Sequence, residues 1–234
     1  MNISTQWDNI AEARLLDRLN GNDSSYNHVF LPNILSYIEN QSAENKRILD
    51  FGCGTGELTY EIAKRNLTIT GLDISQHSIE LAKHYFNHNK LRFIDKSLQE
   101  SNFVDCFDIA IANMSLMDTE DLIGSLKAIN KSLKCNGTFI VIITHPCYWP
   151  IYWEYFNDKD FSYNKECKIT RTYKTSNKTF NGLETSHFHR PINQYLNDFT
   201  NANFSLINLN EINNPKDTVW YPRFVCFELK KNCT

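Results

Sequence analysis

No apolar run in the chain approaches the ~20 residues that a membrane-spanning helix needs. The first twenty residues, "MNISTQWDNIAEARLLDRLN", are polar and amphipathic and carry no apolar core of a signal peptide. Positive charge is not in excess: 24 Lys and Arg stand against 27 Asp and Glu, for a formal net charge of −3. Basic residues cluster no further than pairs such as Lys230-Lys231, which argues against a nucleic-acid surface. No CxxC pair occurs among the seven cysteines, and their odd number and irregular spacing argue against a disulfide framework and a zinc site alike. Internal repeats and low-complexity tracts are absent too. A cytoplasmic protein in a reducing compartment is the expectation.

What remains is a pattern. The 234 residues, 41% of them apolar, suit one α/β domain with modest additions. Residues 6–20 read as a helix with Trp7, Ile10, Ala11, Leu15, Leu16 and Leu19 on one stripe, and 26–40 read as a second helix with Pro32 near its start. From "KRILDFG" onward, short apolar strands alternate with amphipathic helices as far as "GTFIVIITHP". That rhythm predicts βαβ crossovers, hence a doubly wound, mostly parallel sheet with helices on both faces. Residues 147–188 are aromatic, polar and aperiodic. A helix at about 191–203 follows, then "FSLINLNEI" and "RFVCFELKK", two strand candidates with no helix between them. Such a late pair predicts an antiparallel edge. The single domain is read as a helical cap (1–44), a cofactor-binding core (45–146), a lid insertion (147–190) and a C-terminal helix with edge strands (191–234).

The chemistry is concentrated in "ILDFGCGTGELT", residues 48–59. Its glycines, Gly52, Gly54 and Gly56, fall on a strand-to-helix turn. Glu57 occupies the position of the third glycine of a dinucleotide fingerprint, and the P-loop pattern is absent. A pyrophosphate docks on the positive end of a helix, where Glu57 and nearby Asp50 place like charge. Asp73 lies 23 residues beyond Asp50, close to the ~20-residue offset at which a carboxylate grips ribose hydroxyls. The predicted ligand has a ribose, no pyrophosphate and a positive centre, as S-adenosylmethionine has.

"ILDFGCGTGELT", "ITGLDIS", "FDIAIANMSLMD" and "LKCNGTFIVIITHP" resemble the successive motifs of class I S-adenosylmethionine-dependent methyltransferases, over about residues 45–146. "ANMSLMD" with "HPCYWP" and "HFHRP" is similar to a bacterial small-molecule branch of that family. The resemblance implies a Rossmann-like fold. It places Asp50 and the backbone of Gly52, Cys53 and Gly54 at the methionine end, Asp73 on the ribose, and Ile74 against the adenine. Asn113 and Met114, after the fourth strand, approach the methionine moiety or the substrate. Many members carry an acid–Ala pair after the third strand; here the best match is Ser97-Leu98, with Asp95 as the rival.

His145, at the carboxyl end of the fifth strand, is the first candidate base and His189 the second; each could instead order a loop. His187 and His189 stand at i and i+2, but no third ligand stands near them, so no metal is expected. Tyr26, Tyr148, Trp149 and Arg190 are the candidate acceptor contacts. The expected activity is methyl transfer to an O or N atom of a small molecule, with secondary metabolites among the candidate acceptors and a homodimer among the candidate assemblies. A methyltransferase for RNA or protein is the alternative, disfavoured by the absence of N-P-P-[YF] at Asn113. A non-catalytic module binding the cofactor or its product is the other.

Overall fold

The computed structural model describes residues 2–41, 45–174 and 182–233. The predicted cap boundary at residue 44, and part of the predicted lid, lie outside them. Helix α1 (Ile3–Leu19) starts on Asn2, whose side chain accepts from Thr5 N. A π-helical turn (Tyr26–Phe30) leads directly into α2 (Leu31–Asn40), whose N-terminus carries the predicted Pro32. The alternating core follows: β1 (Arg47–Phe51), α3 (Glu57–Ala63), β2 (Thr68–Asp73), α4 (Gln76–Tyr85), β3 (Leu91–Asp95), α5 (Leu98–Ser101), β4 (Phe107–Asn113), α6 (Leu122–Ser132) and β5 (Leu133–Thr144). A short α7 (Trp149–Tyr152) and a hairpin of β6 (Cys167–Thr172) and β7 (Glu184–His189) come next. Then α8 (Ile192–Asn201), β8 (Phe204–Ile212) and β9 (Phe224–Lys231) close the chain.

The main sheet has seven strands in the order β3-β2-β1-β4-β5-β9-β8. The first five are mutually parallel; β9 runs antiparallel to β5 and β8 antiparallel to β9. The strand order reverses between β1 and β4, so a crevice opens beyond their carboxyl ends. Burial on both faces follows the period of two. Ile48, Ile109, Ile111, Ile140 and Ile142 face one core with α2 and α3, whereas Leu49, Ala110, Ala112, Val141 and Ile143 face the other with α6 and α8.

Several local readings change. β5 carries a bulge at Cys135-Asn136-Gly137, where Asn136 adopts φ 59° and the register to β4 shifts. The third strand ends at Asp95, and Ser97 then caps α5 through a reciprocal pair with Glu100. The stretch read as aperiodic contains the β6–β7 hairpin. Its alternation is invisible because β6 buries only Ile169 and β7 buries every residue from Thr185 to His189. Cys135 and Cys233 form a disulfide, which corrects the inference from cysteine count and spacing. Among the described residues, no helix is long and apolar enough to cross a membrane.

The disulfide closes a separation of 98 residues between the bulge of β5 and the segment after β9. Cys135→Ser should lower unfolding stability by about 2–4 kcal/mol in urea titration under non-reducing conditions. Equal midpoints for variant and parent would show that the crosslink is idle.

Candidate functional site

The turn after β1 is built on glycines that only glycine can occupy. At Gly52 φ is +70°, and a Cβ there would lie 2.4 Å from Ser115 Cβ in the turn after β4. At Gly56 φ is +88°, and a Cβ would lie 2.5 Å from the Phe93 ring. The two loops at the switch point therefore touch, backbone against side chain. Ser115 Oγ also donates to Phe51 O at 2.8 Å.

Asp73 ends β2 beside this turn. One carboxylate oxygen accepts from Gly54 N at 2.8 Å and the other from Ser75 N at 2.8 Å. Each oxygen keeps a lone pair for a hydroxyl donor. Burial raises the Asp73 carboxyl above its usual range, against the pull of these two N–H groups. Asp50 lies beneath the turn, 1% exposed, and accepts from Thr59 Oγ1 at 2.7 Å.

Glu57 does not face a ligand. Its carboxylate is buried and accepts from Arg18 Nη1 at 2.9 Å and from Thr55 Oγ1 at 2.6 Å. Repulsion of a pyrophosphate by this residue is thus corrected: its charge is spent on Arg18. Burial works against the Arg18 charge, but Glu57 and Asp23 outweigh it and hold the guanidinium firmly protonated. The pair ties α1 to the turn.

Two clefts open around these elements. The first, about 390 Å³, is walled by Gly52, Gly54, Asp73, Ile74, Ser97, Leu98 and Met114, together with Trp7 and Arg14 of α1. Its far rim is Thr119 to Asp121. The second, about 540 Å³, is walled by Phe30, Trp149, Tyr152, Trp153, Tyr173, His187, Arg223 and Phe224. Trp7, Arg14, Met114 and Asp118 line both. The clefts share a wall.

The methyltransferase-domain family model matches residues 42–193. The chain belongs to the class I S-adenosylmethionine-dependent methyltransferases. It is similar to the malonyl-[acyl-carrier protein] O-methyltransferase of Acetivibrio thermocellus, with 28% identity over 166 residues, 66% of this chain and 59% of that protein. The chain thus spans about three fifths of that relative's length. In fold it is similar to an S-adenosylmethionine-dependent methyltransferase from Clostridium acetobutylicum (TM-score 0.68, 17% identity, 94% and 98% of the two chains). It is also similar to the 1,6-didemethyltoxoflavin-N1-methyltransferase of Burkholderia thailandensis, solved with S-adenosylhomocysteine (TM-score 0.62, 15% identity, 96% and 88%).

S-adenosylmethionine fits the first cleft. Asp73 offers acceptors to a ribose, and Ile74 (47% exposed) and Leu98 offer apolar surface to a base. Arg14 Nε is buried without a hydrogen-bond partner among the described residues, as is Asn113 Oδ1. Cys53 is buried, its thiol pushed well up by desolvation, and it packs under Gly71 rather than into the cleft.

The remaining predicted residues of this methyltransferase distribute unevenly. Trp149 lines the second cleft. His145 lines neither: its Nε2 is 2.8 Å from Glu211 Oε1, and Tyr148 covers its ring at 4.7 Å. Tyr148 in turn stacks on Tyr221 at 5.4 Å. His189 Nε2 contacts Tyr163 O at 3.0 Å, and its ring sits against Phe161. Tyr26 is buried under the Arg18 guanidinium, 4.4 Å from its ring centre. Arg190 is 1% exposed; it pairs with Glu166 and donates to Thr119 O at 2.8 Å and Glu120 O at 3.0 Å. It positions the rim of the first cleft from behind.

Sequence reasoning missed Arg14 and Asp118 and passed over His187. Arg14 and Arg18 stand on the same stripe as Trp7 and Ile10, and a cation on an apolar stripe was the available signal. Asp118 is half-buried where the clefts meet, and desolvation holds its carboxyl well above the usual range despite Arg14. His187 is 4% exposed, with Nε2 3.2 Å from Tyr155 Oη and Nδ1 unpartnered among the described residues. Burial first, then His189 and Arg171, push its pKa down to about 3, so the imidazole is neutral at physiological pH.

Two outcomes test this electrostatic arrangement. Arg18→Met strands the buried Glu57 charge and should cost about 3–5 kcal/mol in urea unfolding; a cost near zero would mean that the pair holds nothing together. Burial lifts Asp50 to about 6, opposed by the Thr59 bond. The folded state then prefers the protonated acid, so a penalty grows as pH rises from the unfolded value toward the folded one. Asp50→Asn removes it. Relative to the parent chain, this variant should gain roughly 2 kcal/mol between about pH 4 and about pH 7. A difference independent of pH would contradict the assignment.

Proposed function

We propose that this methyltransferase transfers a methyl group to an O or N atom of a small molecule bound in the second cleft. The observation that carries this reading is the shared wall of Trp7, Arg14, Met114 and Asp118, which sets the two clefts back to back. A substrate in one reaches a donor in the other without crossing the protein surface. The lack of a basic stripe disfavours a nucleic-acid acceptor, and the O- and N-methyltransferase relatives support both atom types.

S-adenosylmethionine supplies, when bound, a methyl already activated on a sulfonium. The chain has then to align and to exclude water. Asp73 holds the ribose hydroxyls, and Ile74, Ser97 and Leu98 flank the adenine. Arg14 pairs with the carboxylate of the methionine end, and the turn from Gly52 to Gly54 brings its backbone close. Asp50, beneath the turn, favours the positive centre. Trp7 and Met114 separate donor from acceptor except at the transfer point. Residues 147–190 act as the acceptor lid through Trp149, Tyr152, Trp153 and His187. His187 Nδ1 holds the nucleophile's O–H or N–H and takes its proton as the new bond to carbon forms. His145 and His189 order the loops that carry the lid.

Calorimetric titration with S-adenosylhomocysteine should give micromolar binding, weakened tenfold or more by Asp73→Ala; unchanged affinity would remove the ribose assignment. His187→Ala should lower turnover of an accepted substrate by about 10²–10⁴-fold while leaving that affinity within a factor of two. Full turnover in this variant would end the proton-transfer role.

A further inference from the structure

The second cleft is unlike the first in both charge and surface. Its floor and walls are aromatic: Phe30, Trp149, Tyr152, Trp153, Tyr173 and Phe224 all line it. Trp149 stacks on Tyr152 with ring centres 4.9 Å apart at 30°, and Trp153 lies 5.5 Å from Trp149 at 34°. The rings cover part of one another's faces and leave an aromatic rim on the cleft, a surface that suits another aromatic ring in offset or edge-on contact. The volume, about 540 Å³, is in the range of sites that enclose drug-sized molecules.

Cations crowd one part of this aromatic cup. The Arg223 guanidinium lies 4.6 Å from the centre of the Tyr152 ring and 5.0 Å from that of Phe224. Lys174 Nζ lies 5.1 Å from the centre of the same Tyr152 ring. Lys216 lines the cleft from the loop that precedes Arg223. Among the described residues, neither Lys174 nor Lys216 forms an ion pair with a carboxylate.

Two of the four carboxylates on the same walls are paired with arginines: Asp217 with Arg223, and Asp23 with Arg18. Burial favours the neutral form of Asp118. The balance left facing the cavity is positive, in a protein whose net charge is −3.

A third group fixes polarity along the cleft. His187, with its unpartnered Nδ1, comes from β7, which packs against α1 and against the Leu116–Asp118 turn that borders both clefts. Lys174 follows β6, the hairpin partner of β7, so the hydrogen-bonding group shares a hairpin with one cation while Lys216 and Arg223 come from the loop between β8 and β9.

We propose that the second cleft takes a planar aromatic acceptor carrying a carboxylate. Its rings lie against Trp149, Tyr152 and Trp153, and its anion meets Lys216 and Lys174, Arg223 being paired with Asp217. Its methylated hydroxyl or amine points toward His187. This deepens the acceptor reading above and rests on it. The carboxylate stays unreacted: it anchors the far end, so that the O or N nucleophile, not the acid, meets the donor.

The test is calorimetry on the full chain with three probes of one shape: 6-hydroxy-2-naphthoate, its carboxamide, and its aminomethyl analogue. Titrations run with and without S-adenosylhomocysteine. The acid should bind at least about tenfold tighter than the amide, with the amine weakest. In the Lys174→Met, Lys216→Met double variant the acid should fall to within about twofold of the amide, and the amide should bind as before. Thermal unfolding of the variant checks that it is folded. Lys216→Met alone should give an intermediate loss. An amide or amine that binds as tightly as the acid overturns the proposal, as does a preference that survives the double variant. Binding of none of the three overturns it too. Failure of the acceptor reading looks different: the acid would keep its preference yet neither couple to S-adenosylhomocysteine nor be methylated.

Discussion

The buried ion pair of Arg18 with Glu57 is the contact on which the site depends. At 2.9 Å, and with both side chains almost wholly out of water, it is strong only while both partners stay in place. Glu57 opens α3 immediately after the glycine turn; Arg18 closes α1. The pair therefore clamps the first helix of the chain onto the turn after β1. Hydrogen bonds of Gln6 to Ser186 and of Asp8 to Ser75 hold the other end of the same helix, and together these contacts keep Trp7 and Arg14 on the wall that the two clefts share. A local feature of one turn thereby sets the position of a helix some forty residues upstream.

Around that clamp the carboxylates are sorted by environment. Glu57 has a cation, Asp73 has two backbone N–H groups, Asp50 has a single hydroxyl, and Asp118 has only distant arginines. Burial raises Asp73, Asp50 and Asp118 above the usual carboxylate range. Asp73 lines the first cleft, where its charge is costly until a positive ligand arrives. In the second cleft Asp217 and Asp23 are paired with arginines, and Lys174 and Lys216 have no carboxylate partner among the described residues. One protein surface presents two opposite electrostatic tastes a side chain apart.

Much of the fold was legible because it rests on periods. Strands such as Phe107–Asn113 are buried on both sides and read as continuous apolar runs, and the helices between them carry clear stripes. The glycine turn and Asp73 were legible because their chemistry demands those residues at that spacing. The β6–β7 hairpin was not, since a strand buried at nearly every position has no alternation to read. The Cys135–Cys233 link was not legible either, because a pairing across 98 residues depends on β5 and β9 lying side by side.

The histidines show where the boundary falls. "SHFHRP" placed His187 and His189 at i and i+2, and "ITHP" placed His145 at a strand end facing ligands. By itself the sequence determined the parallel core, the glycine turn after its first strand and the carboxylate Asp73 beside that turn, because local backbone geometry and short-range spacing decide those. Only the tertiary structure decided which histidine meets a cavity. His145 is taken by Glu211 from β8 and His189 by the carbonyl of Tyr163, whereas His187 keeps one nitrogen unpartnered. The partners that occupy a polar side chain come from distant segments, and no local pattern encodes their arrival.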